Sequence, residues 1–256
     1  MPTPISRTVA VIGAGAGGLV AARELRREGH NVVVYERGAE LGGTWVYTPD
    51  TESDPTGLDP KRKFVHTSLY ASLRTNLPRE AMGFREYPFV TTGKPGRDPR
   101  RFPGHREVLE YLKDYAAEFQ LGELVRFGSD VLYVGMVEDS KWMVKSTNKN
   151  NGDNNEEIYD AVVVCNGHYS EPRLAEISGI DEWPGKQIHS HNYRIPEPFQ
   201  DQIGCLPSEE WRKQMYDATS NRRSDAPETY RDQWEDEHLI SLAHEDFKNY
   251  ISAISQ

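Results

Sequence analysis

Apolar and polar positions in the first 36 residues follow a pattern that predicts a strand, a helix and a second strand. These three segments are residues 8–12, 16–28 and 31–35. Leu19, Ala22 and Leu25 recur at the spacing of one helix face, and Gly29 follows where glycine commonly ends a helix. The two flanking apolar runs are typical of buried parallel strands, so together they predict a βαβ unit.

The same reading predicts the elements that follow. It gives surface loops at 48–63 and 91–104, an amphipathic helix at 106–119, a hairpin at 130–146, a polar loop at 147–157, a buried strand at 159–165 and helices at 208–219 and 228–254. The hairpin turn is expected near Asp139 and Ser140. Cations at Lys94, Arg97 and Arg100–Arg101 indicate either a solvated loop or a phosphate contact.

A glycine-rich turn joins the first predicted strand to the helix and carries the strongest chemical signal. Gly13, Gly15 and Gly18 have the spacing of a dinucleotide-binding turn, in the required strand–turn–helix context. The glycines permit a tight turn, close approach of a pyrophosphate and close helix packing. Glu36 ends the second strand, where a carboxylate can accept ribose hydroxyls and would repel a 2′-phosphate. The site therefore suits FAD or NAD better than NADP.

Composition narrows the function classes. The net charge of −10 makes nucleic acid an unexpected partner, and the mean hydropathy of −0.72 is that of a water-soluble chain. No apolar run has the length of a membrane span, and the first residues lack a secretory pattern. Cys165 and Cys205 have no metal-ligand spacing, which favours a reducing compartment. We therefore expect a cytoplasmic protein, and the sequence does not indicate its oligomeric state.

Five motifs in order make the sequence similar to the flavin-containing monooxygenases, and most similar to the plant branch that contains glucosinolate S-oxygenases. They are VAVIGAGAGG (9–18), ERGAELGGTW (36–45), SLRTNLPRE (72–80), VVVCNGH (162–168) and WPGKQIHSHNY (183–193). The last resembles the family's aromatic-x-Gly-x-x-x-His-x-x-x-Tyr pattern, with Trp183 where Phe is usual. The resemblance covers nearly all of residues 7–202.

The resemblance implies an α/β fold: a Rossmann-like FAD-binding domain at 1–202, with a parallel sheet, helices and a β-hairpin or meander insertion, and a helical C-terminal segment at 203–256. It also implies which residues bind the cofactor. These are Gly13, Gly15, Gly17, Gly18, Glu36, Arg37, Gly43, Thr44, Trp45, Asn76, Val131, Asn166 and Gly167. Asn76 matches the family asparagine near the reactive face of the isoalloxazine, and is the candidate catalytic residue.

Some of these positions have a second interpretation from the residues alone. Asn76 also suits a turn before Pro78, and Val131 also suits a core strand, where both roles can hold together. His189 and His191 form a His-x-His pair, but no cysteine or carboxylate cluster accompanies them. A structural role is therefore expected for the histidines, and no metal site.

The family activity is FAD- and NADPH-dependent transfer of oxygen from O2, through a flavin C4a-hydroperoxide, to the sulfur or nitrogen of a small molecule. The resemblance predicts this activity, and no Ser/His/Asp constellation is needed because the cofactor supplies the chemistry. No second glycine-rich turn follows residue 202, so the NADPH-binding domain of the family is not expected in this chain. The alternative is an FAD-binding form without turnover. An unrelated NAD-dependent oxidoreductase is disfavoured by Gly42–Gly43 and the 183–193 motif.

Overall fold

The structure, a computed structural model, describes residues 6–149, 151–174, 179–182 and 184–200. Its strands and α-helices are, in chain order, β1 (Thr8–Ile12), α1 (Ala16–Arg27), β2 (Asn31–Glu36), α2 (Arg79–Met82), α3 (His105–Glu118), β3 (Val125–Phe127), β4 (Ser129–Met136), β5 (Trp142–Asn148), β6 (Asn154–Tyr159) and β7 (Ala161–Val164). Short 3-10 turns lie at Gly43–Trp45, Leu121–Leu124, Glu138–Ser140, Ile180–Glu182, Ser190–Asn192 and Glu197–Phe199. The helices expected at 208–219 and 228–254 lie outside the described residues.

A parallel sheet of four strands, in the order β3-β2-β1-β7, is the centre of the fold. Ala10 is opposite Val33 of β2 and Val162 of β7, so β1 is paired on both sides. The short β3 extends the sheet beyond β2, with Val34 opposite Val125. The predicted βαβ unit and the α/β fold class are confirmed.

Helix α1 ends as its sequence predicts. Gly29 has a φ of +85°, and its N–H donates to the carbonyl of Arg26 at 3.0 Å. The N–H of His30 donates to the carbonyl of Leu25, also at 3.0 Å. These two bonds form a Schellman motif, which satisfies carbonyls at the helix end and turns the chain into β2.

The two faces of the sheet are covered by different layers. On one face, Val11, Val32 and Val34 pack against Ala22 of α1. On the other face, Ala10 and Tyr35 pack against Val144 and Tyr159 of an antiparallel meander, β4-β5-β6. The alternation of side chains along each strand produces this division. The predicted meander insertion is confirmed, and the 3-10 turn that contains Asp139 and Ser140 joins β4 to β5.

A third cluster joins the two long helices. Leu19 of α1 packs with Val108, Leu112 and Tyr115 of α3, together with Phe89 from the preceding loop. Six aromatic rings lie in edge, tilted or stacked contacts around this cluster: Phe84, Tyr87, Phe89, Tyr111, Tyr115 and Phe119. The predicted apolar face of the 106–119 helix is therefore buried as expected.

Two predicted boundaries are wrong. The polar loop predicted at 147–157 is shorter, because residues 154–158 belong to β6 and only 149–153 connect the strands. The strand predicted at 159–165 starts later, since Tyr159 ends β6 and β7 begins at Ala161. Strand β6 is at the edge of its sheet and residues 154–156 are all exposed, so its sequence is polar and its pattern resembles a loop. None of the helices in the described ranges is both long and apolar enough to cross a bilayer.

We expect Leu112→Ala to lower the free energy of unfolding by about 2–5 kcal/mol, because the side chain is 2% exposed and its removal leaves a cavity between α1 and α3. Urea unfolding of the purified chain measures the change. Leu132→Ala is the matched control, since Leu132 is 68% exposed and should change stability by no more than about 0.5 kcal/mol. Equal losses in the two variants would contradict the described core.

Candidate functional site

The turn between β1 and α1 is built on close backbone contacts that exclude side chains. Gly13 has a φ of +103°, and a Cβ on it would lie 2.4 Å from the carbonyl oxygen of Cys165. A Cβ on Gly18 would lie 1.8 Å from the carbonyl oxygen of Gly13. Both positions therefore require glycine for the chain to turn and for α1 to pack on the strand.

The same turn leaves the start of α1 open. Gly15 is the N-cap and offers no side chain to the helix, and the first turn contains no acidic residue. The first N–H groups of a helix have no partner within the helix, and they carry the positive end of its dipole. This end of α1 can therefore accept an anion such as a pyrophosphate.

The loop after β2 packs against this turn. The N–H of Gly42 donates to the carbonyl of Ala14 at 3.0 Å, and a Cβ on Gly43 would lie 2.9 Å from the Cα of Gly15. The carbonyl of Thr44 accepts a hydrogen bond from the buried hydroxyl of Thr67 at 2.7 Å. The glycine pair thus brings the loop that carries Thr44 and Trp45 beside the dinucleotide turn.

Glu36 lies at the end of β2 with its carboxylate directed to the turn. Its Oε2 accepts the N–H of Ala14 at 2.8 Å, and its Oε1 accepts the N–H of Gly38 at 2.7 Å. Each oxygen is held by one hydrogen bond and retains capacity for another. The carboxylate is therefore fixed in position beside the open end of α1.

The remaining predicted residues lie at varied distances from this centre. Asn166 follows β7, and its Cα is 3.6 Å from the position of a Cβ on Gly13. Arg37 is exposed, and its guanidinium lies 4.4 Å from the centre of the Phe64 ring. Val131 of β4 packs against the cluster beneath the meander, as its core-strand interpretation predicts.

For three further predicted residues, the structure shows no contact that tests a cofactor role. Gly17 lies in the first turn of α1 near the sulfur of Cys165, with 4.0 Å from a Cβ position to Sγ. Gly167 has a φ of +79°, and nothing lies within 4 Å of a Cβ placed there. Asn76 is exposed in the loop before α2. The cofactor roles of all the predicted site residues, including Gly167, Asn76 and Val131, remain predictions.

A buried polar network that the sequence did not predict fastens two distant segments together. His191 is 2% exposed: its Nδ1 is 2.6 Å from the Ser68 hydroxyl, and its Nε2 is 3.3 Å from Oε1 of the buried Glu52. Asn192 accepts the N–H of Glu52 at 2.8 Å, and the buried Arg194 donates to the carbonyl of Thr67 at 2.9 Å. The 184–200 segment therefore holds the loop that supports Thr44.

This network gives the His-x-His pair a structural setting. His189 accepts the N–H of His191 through Nδ1 at 3.0 Å and caps the short 3-10 turn. Among residues 6–149, 151–174, 179–182 and 184–200, no group of three or more histidine, cysteine or carboxylate side chains could hold a metal ion. The one signal in the sequence that could have indicated the network was the His-x-His pair itself.

The four cations of the 91–104 loop are paired with carboxylates, so the expectation of a fully solvated loop is wrong for one of them. Arg97, whose side chain is only 10% exposed, donates to Glu107 at 2.8 Å and to Asp114 at 2.5 Å. Lys94, Arg100 and Arg101 are exposed and lie beside carboxylates of Asp114, Asp98 and Glu80. The alternative of a phosphate contact in this loop stays a prediction.

A family model described as flavin-binding monooxygenase-like matches residues 6–205, which includes the whole of the site just described. The chain belongs to this family. The flavin-dependent monooxygenase resemblance seen in the sequence is therefore confirmed, and a flavin is the cofactor that the family's description names.

Relatives within the family are close but longer. The chain is 62% identical to flavin-containing monooxygenase FMO GS-OX5 of Arabidopsis thaliana over 77% of its own length and 43% of the relative's. It is 61% identical to a solved S-allyl-L-cysteine S-oxygenase from Allium sativum, with a TM-score of 0.75, over 78% of this chain and 45% of the other. A structure of Tmm from Pelagibacter sp. strain HTCC7211 is 30% identical, with a TM-score of 0.61, over 75% and 43%. The chain spans about half the length of the curated relatives that it matches.

The buried His191 predicts a pH dependence of stability for this family member. Burial lowers the pKa of His191, and the neighbouring Arg194 and His189 act in the same direction, against the opposing charge of Glu52. The pKa is depressed in the folded chain, so stability is complete above the ordinary histidine pKa of about 6.5 and falls as the pH decreases below it. Burial lowers the pKa of His105 as well, with the same sign.

We therefore expect the free energy of unfolding to fall between about pH 7.5 and pH 5.5, and to fall less steeply in His191→Gln. Urea unfolding at several pH values measures both slopes. The carboxylate of Asp54 titrates outside this window, because backbone N–H groups lower its pKa to about 2. His168→Gln, at an exposed position, is the control and should keep the wild-type slope. An unchanged slope in His191→Gln would count against the role of this residue.

Proposed function

We propose that this chain binds FAD at the β1–α1 turn, as the FAD-binding part, residues 1–202, of a monooxygenase that oxygenates sulfur or nitrogen in small molecules. FAD, once reduced, activates O2 for transfer of one oxygen atom. The protein's own residues bind and orient the cofactor and limit access of water. The observation that carries the proposal is a glycine that the fold itself does not require.

That glycine is Gly15. Its φ is −75°, which any residue adopts, and the nearest atom to a Cβ there is the Cα of Gly43 at 3.5 Å, an ordinary contact. Gly13 and Gly18, by contrast, are fixed by contacts within the protein. Glycine costs conformational entropy on folding, so a glycine that the fold does not require, placed at the open end of a helix, points to a ligand that approaches the backbone there. At the open end of α1, the ligand that fits is a pyrophosphate.

Glu36 supplies the second part of the cofactor site. Its carboxylate is fixed by the N–H groups of Ala14 and Gly38, and its free lone pairs can accept ribose hydroxyls. The negative charge disfavours a 2′-phosphate, which agrees with FAD rather than NADP at this turn. Thr44 and Trp45 are proposed to line the flavin side, and Asn76 to lie near its reactive face.

The substrate class and the source of electrons come from the relatives. Two relatives of about 60% identity are, by their names, a GS-OX flavin-containing monooxygenase and an S-allyl-L-cysteine S-oxygenase. We propose a thioether as the substrate and NADPH as the family's reductant. No finding favours the alternative of a form without turnover. The domain boundary proposed at residue 202 is near the end of the compact unit Met1–Pro198.

We expect Gly15→Ala to weaken FAD binding about tenfold or more while the thermal midpoint of the apoprotein stays within a few degrees of wild type. The added methyl group has room in the unliganded turn but occupies the space beside the helix end. A tenfold change corresponds to about 1.4 kcal/mol. Titration of flavin fluorescence measures the dissociation constant, and a thermal melt measures folding.

Two further glycines provide the controls. Gly122→Ala should leave FAD affinity unchanged, because nothing lies within 4 Å of a Cβ there and the residue is in the 3-10 turn after α3. Gly18→Ala should destabilise the apoprotein itself, since its Cβ would overlap the carbonyl of Gly13. Wild-type FAD affinity in Gly15→Ala would exclude a pyrophosphate at the turn.

We expect the FAD-loaded protein, reduced photochemically without oxygen and then mixed with O2 and S-allyl-L-cysteine, to form the sulfoxide in amounts up to one per flavin. Mass spectrometry of the small-molecule fraction measures the product. A tertiary amine in place of the thioether distinguishes sulfur from nitrogen oxygenation. Peroxide release without either product would restrict the function of this chain to FAD binding.

A further inference from the structure

Arg79 is a buried cation three residues after Asn76. It begins the short helix α2, is 4% exposed, and follows an exposed stretch that contains Asn76 and Leu77. Within the part of the chain that the structure describes, the Asn76 side chain has no hydrogen-bond partner. The Asn76 amide is therefore free to contact a ligand, and its position depends on whatever holds its neighbours.

The Arg79 guanidinium holds the facing loop by donating hydrogen bonds to backbone carbonyls of that loop. Nε donates to the carbonyl of Arg100 at 3.1 Å, and Nη2 donates to the carbonyls of Asp98 at 2.6 Å and Arg100 at 2.8 Å. The backbone N–H of Arg79 donates to the carbonyl of Arg101 at 2.9 Å. The guanidinium also lies 4.6 Å from the centre of the Phe89 ring. Only a planar group with several donors can make this set of bonds.

Glu107 of α3 ties the same loop to the helix. Its Oε2 accepts from Arg97 at 2.8 Å and from the N–H of Asp98 at 3.0 Å, and its Oε1 lies 3.7 Å from Nη1 of Arg79. Oε1 and that Nη1 are buried and make no hydrogen bond. Moving charged groups out of water costs free energy, and two atoms of this group gain no hydrogen bond in return. The arrangement is therefore poor evidence that these side chains serve only to stabilise the fold.

A second set of bonds fixes the other side of the Asn76 turn. The N–H of Thr75 donates to the carbonyl of Pro103 at 2.9 Å, and its hydroxyl donates to the carbonyl of Leu77 at 2.8 Å. The N–H of His105 donates to the carbonyl of Leu73 at 3.0 Å. Asn76 is thus the free tip of a turn that is anchored immediately before and after it.

We propose that Arg79 is a positioning residue, which holds the Asn76 turn so that the Asn76 amide is presented to the flavin. The inference rests on the proposed function, because it needs FAD at the β1–α1 turn. It assigns to Arg79 no contact with the cofactor. The buried guanidinium acts through the backbone of the 98–101 loop and through Leu77 and Pro78, the two residues that separate Arg79 from Asn76.

The test is a double-mutant cycle between Arg79→Lys and Asn76→Ala in the FAD-loaded chain. Lysine keeps the positive charge but has a single nitrogen, so it cannot reproduce the planar fork in which Nε, Nη1 and Nη2 face the two carbonyls and Glu107 from separate positions. The readouts are the FAD dissociation constant and the midpoint potential of the bound flavin. We expect Asn76→Ala to weaken FAD binding roughly threefold to tenfold, the effect of one hydrogen bond, and to shift the potential.

If Arg79 acts through Asn76, Arg79→Lys shifts the potential in the same direction, and the double variant matches Asn76→Ala alone. Additive effects of the two substitutions would overturn the inference, as would an unchanged potential in Arg79→Lys or in Asn76→Ala. A merely structural role of Arg79 would lower the melting temperature of the apoprotein and leave the potential unchanged.

Arg23→Lys is the matched control. Arg23 also has carboxylate partners and an aromatic ring, with its guanidinium 4.7 Å from the centre of the Phe119 ring, but it lies on α1. Its substitution should be additive with Asn76→Ala and leave the potential unchanged. Where Arg79→Lys fails to fold, Glu107→Gln replaces it with the same expected coupling. Absence of FAD binding by the wild-type chain would instead refute the proposed function.

Discussion

The described structure depends on the contact between the end of β1 and the first turn of α1, where backbone meets backbone without an intervening Cβ. The Gly18 Cα lies so close to the Gly13 carbonyl that any side chain at position 18 would overlap it. Gly13 is constrained in the same way by the carbonyl of Cys165 at the end of β7. These two contacts set the distance between the helix and the sheet. The open helix end and the positions of Glu36 and Gly43 follow from that distance.

From this turn, short bonds extend to the rest of the site. Glu36 bonds the N–H of Ala14, and Gly42 bonds the carbonyl of the same residue, so both loops after β1 and β2 share one anchor. Thr67 then supports Thr44, and Arg194 holds the carbonyl of Thr67 in turn. Residues far apart in the chain therefore support one small region. A site of this kind is held by its surroundings before any ligand arrives, which lowers the ordering cost of binding.

Sequence patterns correctly predicted those elements whose boundaries are set by residues a few positions away in the chain. The end of α1 at Gly29 and the turn at Gly13 could be located because their signals lie within a few positions. Strand β3 was missed because it is only three residues long and contains the charged Arg126. The extent of β6 was missed because Asn154–Glu157 are polar on an exposed edge.

Partners that lie far apart in sequence could not be predicted in the same way. Glu52 and His191 are separated by 139 positions, and nothing in either neighbourhood identifies the other. Arg79 and Glu107 form a buried pair across 28 positions, and the residues around one of them do not identify the other. Buried charges are rare, so the pattern of a charged loop favours exposure unless the tertiary contacts are known.

The glycines of the dinucleotide motif fall into two groups, according to whether a Cβ added at the position would overlap other atoms of the protein. Gly13 and Gly18 are required by the fold alone, so they would be needed in a chain that bound nothing. Gly15 and Gly17 face no atom closer than 3.5 Å, so the fold gives no reason for their size. A match to the whole motif therefore contains two kinds of information, one about architecture and one about ligand binding. Only the second kind bears on function, and in this chain it rests on Gly15 at the open end of α1.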